Sequence, residues 1–233
     1  MAAATACARP AEPAPAGPLG YGLPSPPNAV YTVADTLTVE MHRPGGNLEM
    51  AARYAMTVDL SFRHDPAGIR VTGIAEDFEG SMSNLLQPDR FSDLGYLVNT
   101  IEFTLNRRGV RRVASYPELS GRPAELFSFG GLPYDIFPPL PGEEMEALGS
   151  WVDTVVWHTD SEALERTFMG VYTYTLSGDT VIDGRALVHV TFAGEIETDD
   201  ALGRPLRLTW HDVKGPVTGF LLWDPQRRLV AYQ

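Results

Sequence analysis

The sequence predicts an all-β fold: one strongly bent antiparallel sheet or barrel, built from two similar β-meanders, with one or two short helices. Three observations predict it. Long runs alternate apolar and polar residues with a period of two, and turn signatures separate those runs at hairpin spacing. In addition, 19 prolines and 22 glycines among 233 residues interrupt the chain too often for a helical bundle. A hydrophobic share of 44% is enough to fill a core.

The alternation begins at Val30. In YTVADTLTVEM, Tyr31, Val33, Leu37, Val39 and Met41 share one face, and Thr32, Thr36, Thr38 and Glu40 share the other. In MAARYAMTVDLSFRHD, the residues Met50, Ala52, Tyr54, Met56, Val58, Leu60 and Phe62 face one way. Arg53, Thr57, Asp59, Ser61 and Arg63 face the other. So long an alternation, polar on one side only, is a strand with one wet face. Asp65-Pro66-Ala67-Gly68 then turns the chain into IRVTGIAEDF, and Asn106-Arg107-Arg108-Gly109 separates TIEFTL from VRRVASY. Asp183-Gly184 joins GDTVI to RALVHVTFAGEIE, and Asp224-Pro225-Gln226 separates GFLLW from RRLVAYQ. Asp-Gly between alternating runs marks a hairpin, and Asp-Pro suits a type I turn.

The two halves echo each other. The strand carrying Met50, Ala52, Tyr54 and Met56 falls on one carrying Phe168, Gly170, Tyr172 and Tyr174. At the same offset IEFTLNRRGV falls on GFLLWDPQRR. This internal repeat, 30–116 and 150–233, lies within a single all-β domain spanning 30–233.

Two stretches lack the strand pattern. GSMSNLLQPDRFSDLGYLV (80–98) mixes Leu85, Leu86, Phe91, Leu94 and Tyr96 with loop formers. AELFSFGGLPYDIFPPLPG (124–142) carries Phe127, Phe129, Leu132, Tyr134, Ile136, Phe137 and Leu140, broken by Gly130-Gly131 and four prolines. Segments so apolar do not lie open on a monomer's surface. Either they plug the core at an open end of the sheet, or they form the lid of an apolar pocket or a docking patch. Under the second reading Phe91, Phe127, Phe129, Tyr134 and Phe137 contact the ligand or partner. GEEMEALG (142–149) reads as about two helical turns closed by Gly149.

Composition narrows the function. With 30 acidic and 18 basic residues the net charge is −12, which repels phosphate backbones and argues against a nucleic-acid partner. No run approaches the roughly 20 apolar residues of a membrane-spanning helix. The five histidines, His42, His64, His158, His189 and His211, are scattered, and one cysteine cannot build a thiolate cluster, so no metal site is expected. There is no Gly-x-Ser-x-Gly elbow and no glycine-rich phosphate loop between a strand and a helix. No acidic pair, Asp153 with Glu165 included, stands out from the others. The sequence therefore predicts no enzyme, no catalytic residues and no cofactor.

The single cysteine, Cys7, is either a surface thiol or a point of attachment. Ala4-Thr5-Ala6-Cys7 resembles the lipobox of bacterial lipoproteins, in which the cysteine is acylated and becomes the mature N-terminus. Residues 1–7 then read as a signal-peptide remnant whose apolar region starts upstream of Met1. Pro10, Pro13, Pro15, Pro18, Pro24, Pro26 and Pro27 make 8–29 a linker, a semi-extended spacer of roughly 60 Å. A lipobox, a proline-rich spacer and long alternating strands together resemble the periplasmic half-barrel lipoproteins of the LolA, LolB and LppX type. Leu140-Pro141, Gly149-Ser150-Trp151 and Asp183-Gly184-Arg185 also resemble a pattern in secreted bacterial domains, with which no activity comes. The half-barrel resemblance implies a non-enzymatic lipoprotein anchored on the periplasmic side of the bacterial envelope and binding an apolar, lipid-like ligand. The alternative is an accessory or scaffold subunit docked on the periplasmic face of a membrane protein complex.

Overall fold

The computed structural model describes residues 19–43, 46–84, 87–91, 97–98, 100–119, 129–141, 149–161, 164–199 and 214–233. Its first meander comprises β1 (Asn28–Arg43), β2 (Gly46–Asp65), β3 (Gly68–Asn84), β4 (Gln87–Phe91), β5 (Leu97–Val98), β6 (Thr100–Asn106), β7 (Gly109–Ser115) and β8 (Glu118–Leu119). A single-turn helix, α1 (Leu132–Ile136), follows. The second meander is β9 (Ser150–Ser161), β10 (Leu164–Ile182), β11 (Arg185–Asp199), β12 (Lys214–Asp224) and β13 (Leu229–Tyr232). The main sheets run β1-β2-β3-β6-β7 and β9-β10-β11-β12-β13, antiparallel throughout and strongly curled. The fold is thus all-β, built from two similar meanders.

The alternation read from sequence sets the faces. In β2, Met56, Val58, Leu60 and Phe62 are buried while Arg53, Asp59, Ser61 and Arg63 are exposed. In β6, Ile101, Phe103 and Leu105 are buried. The turns follow their chemistry. Asp183 (φ 51°) and Gly184 (φ 76°) both take the left-handed conformation that a two-residue hairpin requires, and Ile182 pairs directly with Arg185. Asp65 and Asn106 each accept a hydrogen bond from the backbone N–H two residues on, from Ala67 at 2.8 Å and Arg108 at 2.9 Å.

One bulge is decisive for the core. Ala55 pairs with Glu79 and Thr57 with Glu76, so Asp77 and Phe78 together stand opposite Met56. Asp77 absorbs the extra residue with φ 53°, a conformation aspartate tolerates better than a β-branched residue. The inward face of β3 thereby passes from Val71 and Ala75 to Phe78, which is buried beside Tyr54 and Phe129. Curling also needs close strand approach. A side chain at Gly73 would strike the Asp59 carbonyl, and one at Gly194 would strike that of Val171.

Two sequence expectations change. The stretch 80–98 was expected to lack strands, yet β3 runs on through Asn84 and β4 folds back against it, pairing Gly80 with Phe91. The 20-residue β2 offers backbone partners beyond the point where the side-chain pattern ends. The linker read over 8–29 joins the core from Leu19 onward: Leu19 and Tyr21 are buried, and the Tyr21 hydroxyl donates to the Pro138 carbonyl at 2.8 Å. Two aromatic faces, Phe137 and Trp223, draw Tyr21 in. Cys7 and the helix expected over 142–149 fall on residues outside those described, apart from Gly149 at its end.

One core joins the two sheets. The outer strands of the meanders face each other at two seams. At the β7–β9 seam the chain itself lies between the strands: Leu140 N–H donates to Arg108 O (2.8 Å) and Trp151 Nε1 to Pro139 O (3.2 Å), with Arg108 and Asp153 3.5 Å apart. At the β13–β1 seam the contacts are fewer. Tyr31 donates to Val230 O at 3.1 Å and Arg227 to Asn28 O at 2.6 Å, and residues of both strands line a cavity.

Candidate functional site

The cavity at the β13–β1 seam measures about 710 Å³. Residues 29–35 of β1 form one wall, and residues 229–233 with Asp224 and Arg227 of the preceding turn form the other. Tyr54 from β2, Asp135 and Ile136 from α1, and Arg185 at the start of β11 complete it. Each is placed by a local device. Asp35 lies on the inward, odd-numbered face of β1 directly opposite Tyr54. Although inward, Asp35 is exposed, because the barrel is open at this point. Asp135 is delivered by α1, whose first turn is held by Tyr134 and Asp135 N–H groups donating to Gly131 O. Leu132, Pro133 and Ile136 anchor that helix in the core.

The β12–β13 turn carries the opposite charge. The Asp224 carboxylate, buried, accepts from Gln226 N–H (2.9 Å) and Arg227 N–H (3.0 Å), fixing the loop that presents Arg227. Arg185 approaches Asp224 at 3.9 Å and the Tyr232 hydroxyl at 3.4 Å.

Electrostatics at the site follow from enclosure. Asp135 is an exposed residue at the cavity, yet the protein packed closely round its carboxyl disfavours the charge. That desolvation, with the nearby Asp35 carboxylate as the second cause, pushes Asp135 up to about 7. Burial raises the Tyr54 hydroxyl well above the ordinary tyrosine value, with Asp35 and Asp135 adding to it. Tyr31 is raised by burial too, opposed in part by Arg227. Both tyrosines are therefore neutral hydroxyls at physiological pH. Among the described residues no three His, Cys, Asp or Glu side chains converge as metal ligands would.

The residues singled out from sequence lie elsewhere. Phe129 (2% exposed) and Phe137 (0%) are core residues. Phe137 sits among Tyr21, Tyr31, Phe62 and Phe103, at ring separations of 5.4 to 6.1 Å. Phe129 packs on Tyr54 and Phe78. Tyr134 is half-buried on α1, Phe91 pairs in β4, and Phe127 falls outside the described residues. The cavity uses instead Asp35, Tyr54, Asp135, Arg185 and Arg227. A signal for two of them was present: Asp35 interrupts the apolar side of β1, and Asp135 interrupts an otherwise apolar run. No family model, curated protein or solved structure matches this chain.

Proposed function

We propose that this protein is a non-enzymatic binding protein of the bacterial envelope, anchored on the periplasmic side through Cys7, whose seam cavity holds an amphiphilic, lipid-like molecule. The observation that carries the reading is the cavity itself. Its volume falls within the roughly 300–1,000 Å³ of small-molecule sites. Its walls mix apolar groups, Tyr31, Val33, Ile136, Leu229 and Val230, with a few fixed charges, the composition that orients a ligand having one apolar and one polar end. Among the described residues Phe137 and its neighbours form one packed core between the sheets, which favours the seam as the ligand's place. The lipobox resemblance and the prolines after Cys7 support the anchoring.

Native mass spectrometry of protein extracted from its own membranes tests both parts. The expected spectrum shows acylated Cys7 at the N-terminus and one amphiphile adduct per chain. An intact Met1 refutes the anchoring, and a chain free of adducts under gentle extraction refutes the cargo.

The scaffold reading has its own support. On the outer face of the second sheet, Val152, Val156, Val171 and Phe220 are 41 to 58% exposed. Strand register places Thr154 opposite Val171 and Thr191 opposite Phe220, so these side chains share that face. Under this reading Val171→Glu abolishes co-purification of a protein partner and leaves the amphiphile adduct unchanged.

A further inference from the structure

The seam cavity holds charges of both signs that do not meet. Neither Asp35 nor Asp135 forms an ion pair among the described residues, although two guanidiniums line the same space. Arg185 is partly answered by Asp224 at 3.9 Å, whose carboxylate is itself occupied by the turn. Arg227 lines the cavity, donates to a backbone carbonyl and has no carboxylate within ion-pair distance among the described residues. A guanidinium without a carboxylate partner is answered best by another anionic oxygen. Asp35 and Asp135 also line the cavity, the Asp35 carboxylate disfavours the charged form of Asp135, and a cation beside the two favours it. The Tyr54 ring lies across from Asp35 in the strand register, adding an aromatic surface on the same side.

We propose that the cavity selects a zwitterionic amphiphile, its ammonium held by Asp35 and Asp135 beside Tyr54 and its phosphate held by Arg227 and Arg185. The inference deepens, and rests on, the reading of this cavity as an amphiphile site. A guanidinium suits a phosphate because its planar N–H groups can donate to two oxygens at once. An ammonium suits paired carboxylates because it brings three donors and a compact charge. An anionic amphiphile without the cation would set its own charge near both carboxylates, and a purely apolar one would leave the charges that line the cavity unanswered. The walls therefore discriminate by repulsion as well as attraction.

The test is isothermal titration calorimetry on the full chain with two probes below their micelle concentrations: dihexanoyl phosphatidylethanolamine and dihexanoyl phosphatidylglycerol. The two share chains and phosphate and differ in the ammonium. The ethanolamine lipid is expected to bind roughly tenfold more tightly. Asp35→Asn should erase that preference by weakening the ethanolamine lipid alone, and Arg185→Gln should weaken both lipids. Asp35 and Arg185 are exposed, so both variants should fold, and circular dichroism melting checks this. Equal affinity for the two lipids, or a preference that survives Asp35→Asn, overturns the zwitterion inference while leaving the amphiphile site standing. Binding of neither lipid overturns the reading of the cavity as well.

Discussion

Replacing Phe137 by alanine removes the ring round which the barrel closes. The side chain is 0% exposed and meets four other rings, those of Tyr21, Tyr31, Phe62 and Phe103. A phenylalanine buries about 150 Å² or more, worth roughly 4 kcal/mol at about 25 cal/mol per Å². Measured Phe→Ala losses in cores run to about 3–5 kcal/mol because a cavity remains. Edge-to-face ring contacts add to this, so the upper part of that range, about 4–5 kcal/mol, is expected. In a chain of this length each kcal/mol lowers the melting temperature by roughly 2–4 °C, giving a fall of about 8–20 °C. The assay is urea unfolding followed by tryptophan fluorescence, with Phe220→Ala as the control because that ring is 46% exposed. A Phe137→Ala loss below about 1.5 kcal/mol, or one equal to the control's, would refute the placement of this segment as the core plug.

Two further outcomes follow from the same structure. Leu60→Asp should prevent folding or cost several kcal/mol, because Leu60 is wholly buried, whereas Asp59→Leu should change stability by about 0.5 kcal/mol or less. Equal melting temperatures for the two variants would contradict the facing of β2. Asp135 is raised from 3.8 to about 7 in the folded protein, so between those pH values the native state binds its proton more tightly than the unfolded chain does. Its contribution therefore falls as pH rises from about 4 to 7 and is level above that. Thermal melts across this window should show Asp135→Asn gaining on the parent as pH rises, and a constant difference would contradict the raised carboxyl.

Much of the fold was legible because its causes are local. The alternation of β2 and the Asp183-Gly184 and Asp224-Pro225 turns are written in neighbouring residues, and neighbours decide pleat and turn type. What escaped depends on pairing at a distance. Nothing around Gln87–Phe91 announces a strand, and β4 forms because β3 runs on beside it. Leu19 and Tyr21 read as the end of a spacer because what captures them, Arg107 O, Pro138 O and the Arg228 guanidinium, comes from turns far along the chain. The site was hidden for a related reason. Phe129 and Phe137 were prominent as aromatics outside the strand pattern, yet unpatterned apolar residues are what an open barrel uses to fill itself. Asp35 and Asp135, each a charge in an apolar context, were the quieter and more informative signal.

The asymmetry of the two seams explains why the cavity lies where it does. Each curled meander ends in an edge strand whose backbone needs partners. Between β7 and β9 the connecting chain must pass, and Phe137 to Pro141 lie in that seam, supplying carbonyls to Tyr21 and Trp151 and an N–H to Arg108. A side chain at Gly109 would come within 3.3 Å of the Pro139 Cα, which measures how tightly the connection is laid down there. Within the described residues no such segment lies between β13 and β1. That seam is held by Tyr31 and Arg227, and β1 and β13 form two walls of the cavity there. The cavity is bordered also by α1, part of the segment that fills the barrel, and this is how Asp135 comes to it. One stretch, 129–141, thus closes one seam and furnishes the other. Phe137 and Asp135, two residues apart, serve the core and the cavity respectively. A substitution in α1 that tilts this turn would therefore disturb binding before it disturbs folding, because the ring anchors the turn and the carboxylate only rides on it.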